Sequence, residues 1–170
     1  MMSCCVLRIN YRALVWLSGL ASGCFLVFAL VSEYGFGLFP CELCLAQRVP
    51  YAVMVGLGVV ACVVKSPKIM WFFALLCAGL FFVDAGIAFY HAAVEMHWIT
   101  GPSACTANTQ EQTLEEMRAA IMGAALVSCD QPMVHVLGLS MAAWNGVAAL
   151  GCGVLMIWGL RVACDKEKKV

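Results

Sequence analysis

The sequence predicts an all-α membrane protein, a four-helix transmembrane bundle, and three observations carry that prediction. Apolar residues make up 64% of the 170 positions and charged residues only 12%. The mean hydropathy is +0.92. The charges are bunched rather than spread, so long uncharged runs separate them. An ordinary soluble domain carries about twice that share of charge, whereas in lipid a spanning segment must satisfy its own backbone as a helix.

Four runs are long enough to cross a hydrocarbon core of roughly 30 Å at about 1.5 Å per residue. The first, residues 13–32, is uncharged from Ala13 to Ser32. Arg8 and Arg12 ahead of it, and Ser22-Gly23-Cys24 inside it, faintly resemble a cleaved leader. The run continues to Val31, however, which is long for a signal core, and Ala21 is a poor match at its place in a processing site. The second span, residues 45–64, uses Leu45 to Arg48 as its outer turn and is uncharged from Val49 onward. The third, residues 69–90, carries Asp84 as its one charge. The fourth, residues 138–160, carries none.

Orientation follows from the basic residues. Arg8, Arg12, Lys65, Lys68, Arg161, Lys166, Lys168 and Lys169 share one side of a four-span protein, against only Arg48 and Arg118 on the other. Both termini are therefore expected in the cytoplasm, with loops 33–44 and 91–137 facing outward. In the second loop Thr113-Leu-Glu-Glu116 reads as a capping box. Leu114, Met117, Ile121 and Ala125 then recur at helical spacing, which predicts a short amphipathic helix along the membrane surface.

This topology sorts the 11 cysteines. Cys4, Cys5 and Cys164 are cytoplasmic and stay reduced. Cys24, Cys62, Cys77 and Cys152 lie within spans and read as small apolar packing residues. Cys41, Cys44, Cys105 and Cys129 fall in the two outward loops, where disulfides form and persist. Cys41-Glu-Leu-Cys44 is a C-x-x-C just ahead of the second span, with Pro40 before it to start a helix. Unpaired donors and the partial positive charge of a helix N-terminus favour a thiolate there. Arg48 follows Cys44 by one helical turn on the same face and adds to that effect. A cation at that depth is costly in lipid; snorkelling to the interface is the ordinary reading, and the spacing from Cys44 favours a functional one. Cys105 and Cys129 bracket the hydrophilic stretch of the second loop.

These features resemble the DsbB family of disulfide bond formation proteins, over nearly the whole chain. The resemblance is carried by Pro40-Cys41-Glu-Leu-Cys44-Leu-Ala-Gln47-Arg48-Val-Pro50-Tyr51, by Tyr90-His91 with Glu95 and Gly101-Pro102 ahead of Cys105, and by Cys129-Asp130 with Gly138-Leu-Ser140-Met141-Ala-Ala-Trp144-Asn145. The compact second loop and its flanks are similar to a shorter-loop branch. The resemblance implies a thiol relay: a DsbA-like thiol oxidase attacks a Cys105–Cys129 disulfide at Cys105, and electrons pass to the Cys41–Cys44 pair and then to a membrane quinone, ubiquinone or menaquinone. It also implies that Cys44 meets the quinone, that Arg48 holds the quinone oxygen, and that His91 lies close by, although a histidine just beyond a span is as often simply solvated.

Other residues carry blander expectations. Asp84 lies in the outer half of the bundle, where a hydrogen bond to a neighbouring helix competes with proton transfer. Gln47, Pro50 and Tyr51 shape a helix start, and Gly19 and Gly23 form a G-x-x-x-G suited to close helix packing. Three rival functions predict different behaviour. A tetrahedral zinc site on the four outward cysteines binds metal and needs no quinone. A structural subunit keeps both pairs oxidised and tolerates loss of Arg48. A specialised paralogue serves one dedicated partner.

Overall fold

In the computed structural model, residues 11–101, 129 and 135–167 are described. Among them are the helices α1 (Tyr11–Phe36), α2 (Glu42–Val63), α3 (Pro67–Glu95) and α4 (Met141–Glu167), with a two-residue-per-strand hairpin, β1 (His135–Val136) and β2 (Leu139–Ser140), just before α4. All four helices are long and apolar enough to cross a membrane. The expected loop helix over 113–125, Cys105 and the basic residues Arg8, Arg118, Lys168 and Lys169 lie outside the described residues.

The most extensive contacts are between α3 and α4 and between α1 and α2; α3 also packs on α2 and α1. Small side chains at the centre permit close approach: Ala61, Ala74, Ala78, Ala88 and Ala149 are buried, along with the larger Val15, Met54 and Phe81. The outward faces are equally apolar. Leu17, Val27, Phe72 and Leu155 are all exposed, as expected when the solvent is lipid. The glycine expectation is met by a different pair: a Cβ on Gly19 would lie 3.1 Å from Gly58 Cα, whereas one on Gly23 would meet only Val55 Cγ2 at 3.8 Å.

Local chemistry ends and starts these helices. Gly37, at φ +68, turns the chain out of α1, and its N–H closes on Glu33 O at 3.0 Å, an αL stop. Ser66 precedes α3 with Pro67 at its first position. At its far end His97, at φ +58, occupies the left-handed position more often given to glycine. His97 N bonds Val94 O at 3.0 Å and Trp98 N bonds Ala93 O at 2.9 Å, the paired bonds of a Schellman motif. Ser140 Oγ accepts from Ala143 N at 3.2 Å and caps α4.

The structure refines two local expectations. The four-helix bundle carries one short hairpin: Leu137 and Gly138 both adopt positive φ and make the tight turn that pairs His135 with Ser140, the backbone twist a two-residue hairpin requires. In addition, α3 runs past Tyr90 to Glu95, so His91 is inside a helix rather than the first residue beyond one.

The bundle has two distinct ends. The start of α1 meets the close of α4, where Leu14 Cδ2 fills the space beside Gly159, and Arg12 Nη2 donates to Cys62 O near the end of α2. At the opposite end the close of α1, the start of α2, the close of α3 and the start of α4 converge. The polar side chains gathered there form the site described next.

Candidate active site

Cys41 is the N-cap of α2, in an extended conformation, and its sulfur accepts from Cys44 N at 3.4 Å. One helical turn brings the second thiol back over the first, so that Cys41 Sγ donates to Cys44 Sγ at 3.1 Å. The C-x-x-C spacing produces this pairing directly, because residues three apart lie on one helix face. Cys41 is only 4% exposed. Its hydrogen bond to Cys44 and its burial push the thiol up to about 12 from 9.0, against an opposing pull from His91. Cys41 therefore keeps its proton at neutral pH while its sulfur lies in bonding range of Cys44.

Cys129, from the second loop, is 1% exposed and shares a buried cluster with Cys41 and Val94, against which Leu43 and Cys44 pack. The tertiary fold thus brings a cysteine of the second loop to the C-x-x-C pair. Cys105, the remaining sequence candidate, lies outside the described residues.

His91 is 3% exposed. Its Nε2 is 3.5 Å from Cys41 Sγ and 3.5 Å from Glu95 Oε1, and its Nδ1 is 3.1 Å from Gln47 Nε2. From Gln47 a chain of hydrogen bonds crosses the bundle. Asn145 Nδ2 donates to Gln47 Oε1 at 2.8 Å and to Asp84 Oδ2 at 3.0 Å, and Tyr51 Oη donates to Asn145 Oδ1 at 2.7 Å. Asp84 therefore has the hydrogen bond to a neighbouring helix expected of it. Gln47 and Tyr51 do more than shape the start of α2, since both belong to this network.

Arg48 lies one turn beyond Cys44, and its Nη1 bonds Glu33 Oε2 at 2.6 Å, with both side chains largely buried. The cost of a cation in an apolar setting is offset by a carboxylate from the last turns of α1. Four residues of this site, Glu33, Gln47, Glu95 and Asn145, received no chemical role from the sequence. The available signal was polarity in an apolar run: a buried amide such as Asn145 is costly unless paired, and a reading that counted only charges passed over it.

This network borders a cavity of about 660 Å³ whose lining includes Cys41, Cys44, Arg48 and His91 together with Phe25, Phe28 and Trp144. Its volume suits a small-molecule ring system, and its wall combines sulfur, a guanidinium donor and aromatic faces.

Paired thiols held inside a bundle that turns apolar faces to its surroundings define a class: membrane proteins of thiol–disulfide chemistry. The chain belongs to the DsbB family, since the family model for disulfide bond formation protein DsbB matches residues 11–159. It is 26% identical over 161 residues to the disulfide bond formation protein B of Stutzerimonas stutzeri (strain A1501), covering 88% of this chain and 94% of that one. It is also 24% identical over 144 residues to an uncharacterized protein of Rickettsia prowazekii (strain Madrid E), covering 83% of this chain and 81% of that one. The protein is thus a multi-pass membrane protein and a disulfide-forming oxidoreductase.

Proposed function

We propose that this protein reoxidises a DsbA-like thiol oxidase on the periplasmic side of the bacterial inner membrane and delivers the electrons to a membrane quinone. The observation that carries the reading is the shared wall of the cavity, where Cys41, Cys44, Arg48 and His91 border one apolar space. A quinone bound there would supply a two-electron, two-proton oxidant. The residues suit such a group: Phe25, Phe28 and Trp144 offer apolar faces to a ring, and Arg48 retains donors beyond the one given to Glu33.

In this mechanism Cys105 and Cys129 form the disulfide that meets the soluble oxidase, and Cys105 takes the mixed disulfide. The incoming dithiol becomes a disulfide and the loop pair becomes two thiols. Cys129 lies in the same buried cluster as Cys41, so exchange between the pairs runs through these two sulfurs. Oxidation of Cys41 and Cys44 back to a disulfide releases two electrons and two protons. Cys44 would be the thiolate offered to the oxidant, Arg48 would stabilise negative charge developing on it, and His91 touches the sulfur of Cys41. The net reaction is a dithiol plus a quinone giving a disulfide plus a quinol.

The test is anaerobic quinone reduction by the purified full-length protein, supplied with a reduced DsbA-like oxidase and a soluble quinone. Cys44→Ser is expected to abolish turnover. Arg48→Ala is expected to lower it about 100-fold or more, chiefly through quinone use, because one oriented donor in a dry site contributes roughly 3 kcal/mol. Absence of quinone reduction by the wild type would overturn the reading, and stoichiometric zinc on the four loop cysteines would replace it with a metal site.

A further inference from the structure

The three groups Cys41, Cys44 and His91 place their ligand atoms within 4.8 Å of one another. Two thiols and an imidazole at that separation are the ordinary makings of a zinc site. Glu95 adds to the resemblance, because its Oε1 is 3.5 Å from His91 Nε2 and its buried Oε2 has no hydrogen-bond partner among the described residues. A reduced protein with such a cluster would be trapped by zinc, which displaces two thiol protons and occupies both sulfurs.

The hydrogen bonds behind His91 run in a direction that opposes this. A carboxylate oxygen only accepts, so Asp84 Oδ2 requires that Asn145 present its NH2 group. The same NH2 supplies its second hydrogen to Gln47, which must present Oε1, and Tyr51 Oη donates to the Asn145 oxygen that remains. Gln47 is left with its own NH2 facing His91 Nδ1. A nitrogen that receives a donor carries no proton, so the ring proton of neutral His91 is on Nε2, directed between Cys41 Sγ and Glu95 Oε1. A zinc-bound Nε2 needs the opposite tautomer, with Nδ1–H donating to an acceptor behind it.

We propose that Asp84, Asn145 and Gln47 form a directional hydrogen-bond chain that keeps the proton of His91 on Nε2, making His91 a donor to Cys41 and withholding the lone pair that a zinc ion would take. Gln47 and Asn145 are positioning residues, acting on the thiols only through His91. The usefulness of this lock rests on the relay reading, because exchange thiols must stay free of metal. The lock itself is measured without quinone or a partner oxidase, so either idea can fail while the other stands.

The experiment uses the reduced full-length protein in detergent micelles. Its histidines are ¹⁵N-labelled and His91 is assigned by its loss in His91→Ala. Zinc affinity is measured by competition with a chromophoric chelator. Wild type is expected to show a protonated Nε2 and a bare Nδ1, and His91→Ala to leave zinc affinity within about threefold. Gln47→Glu replaces the donor with an acceptor, so it should move the proton to Nδ1 and tighten zinc binding at least about tenfold, the scale of such supporting contacts. Adding His91→Ala to that variant should remove the gain. Asp84→Asn, at the far end of the chain, lets the donors reverse and should populate both tautomers. A wild-type proton on Nδ1 would overturn the proposal. So would a tenfold loss of zinc affinity on His91→Ala in the wild-type background, or a gain in Gln47→Glu that survives removal of His91.

Discussion

Cys41 shows how one residue serves two purposes at the site. As an N-cap it spends its sulfur on the backbone N–H of Cys44, and as a buried thiol bonded to Cys44 Sγ its acidity falls, with the thiol pushed up to about 12. Protonation is favoured in the folded state, so the stability this contributes to the reduced protein is present below about pH 9 and is lost as the pH rises through 12. Reactivity follows the same sign. Alkylation of Cys41 in the reduced wild type should climb about tenfold per pH unit from pH 7 to 9 without a plateau, read by mass spectrometry of the labelled peptide; a plateau near pH 8 would contradict the assignment. Arg48 and Glu33 form the other residue-scale unit. Because both are largely buried, Glu33→Gln leaves a charge without its partner and should cost roughly 1–3 kcal/mol. Denaturation in micelles checks this, and in a double-mutant cycle with Arg48→Ala the two losses should be strongly non-additive.

At the scale of elements, helix ends position the chemistry. The αL stop at Gly37 closes α1 just after Glu33, which reaches Arg48 near the start of α2. The Schellman motif at His97 ends α3 only after His91 has come within range of Cys41 and Glu95 within range of His91. Farther down the bundle, α1 and α2 meet backbone to backbone, and a Cβ on Gly58 would lie 3.2 Å from Gly19 Cα. Backbone cannot swing aside as a side chain can, so Gly58→Ala should force the helices apart and destabilise the protein by about 1–3 kcal/mol. Gly56→Ala is the control: a Cβ there meets nothing within 4 Å, and its melting temperature in micelles should match the wild type.

For the whole molecule, the decisive property is polarity along the bundle axis. Arg12, Lys65, Lys68 and Arg161 belong to the helix ends remote from the thiols, while Cys41, Arg48, His91 and Met141 belong to the opposite ends. The proposed relay needs the thiol end on the periplasmic side, where disulfides persist, and the positive-inside rule supports that orientation. A phosphatase reporter active only in the periplasm should therefore be silent when fused after Val170 and active when fused after His97. Activity at Val170 would reverse the orientation and remove the relay from the compartment it needs.

Sequence by itself determined the parts of this protein that depend on period and composition. Four helices were legible because uncharged runs of sufficient length have few other options in lipid, and the Cys41–Cys44 contact was legible because a C-x-x-C at a helix start brings its ends together within one turn. Arg48 was legible as a cation one turn beyond a thiol. Tertiary structure decided what depends on helices meeting. His91 was expected just beyond a span, either close to the quinone or simply solvated, yet α3 continues past it and buries it against Cys41. Glu33 was expected in a loop, but it lies on α1 and meets Arg48 only because α1 and α2 pack side by side. Gln47, Asp84 and Asn145 come from three helices, and no spacing along the chain reveals that their donors and acceptors match in order. The physical reason is that local pattern constrains a helix and its faces, while the direction of a hydrogen bond across a bundle depends on which faces are brought together.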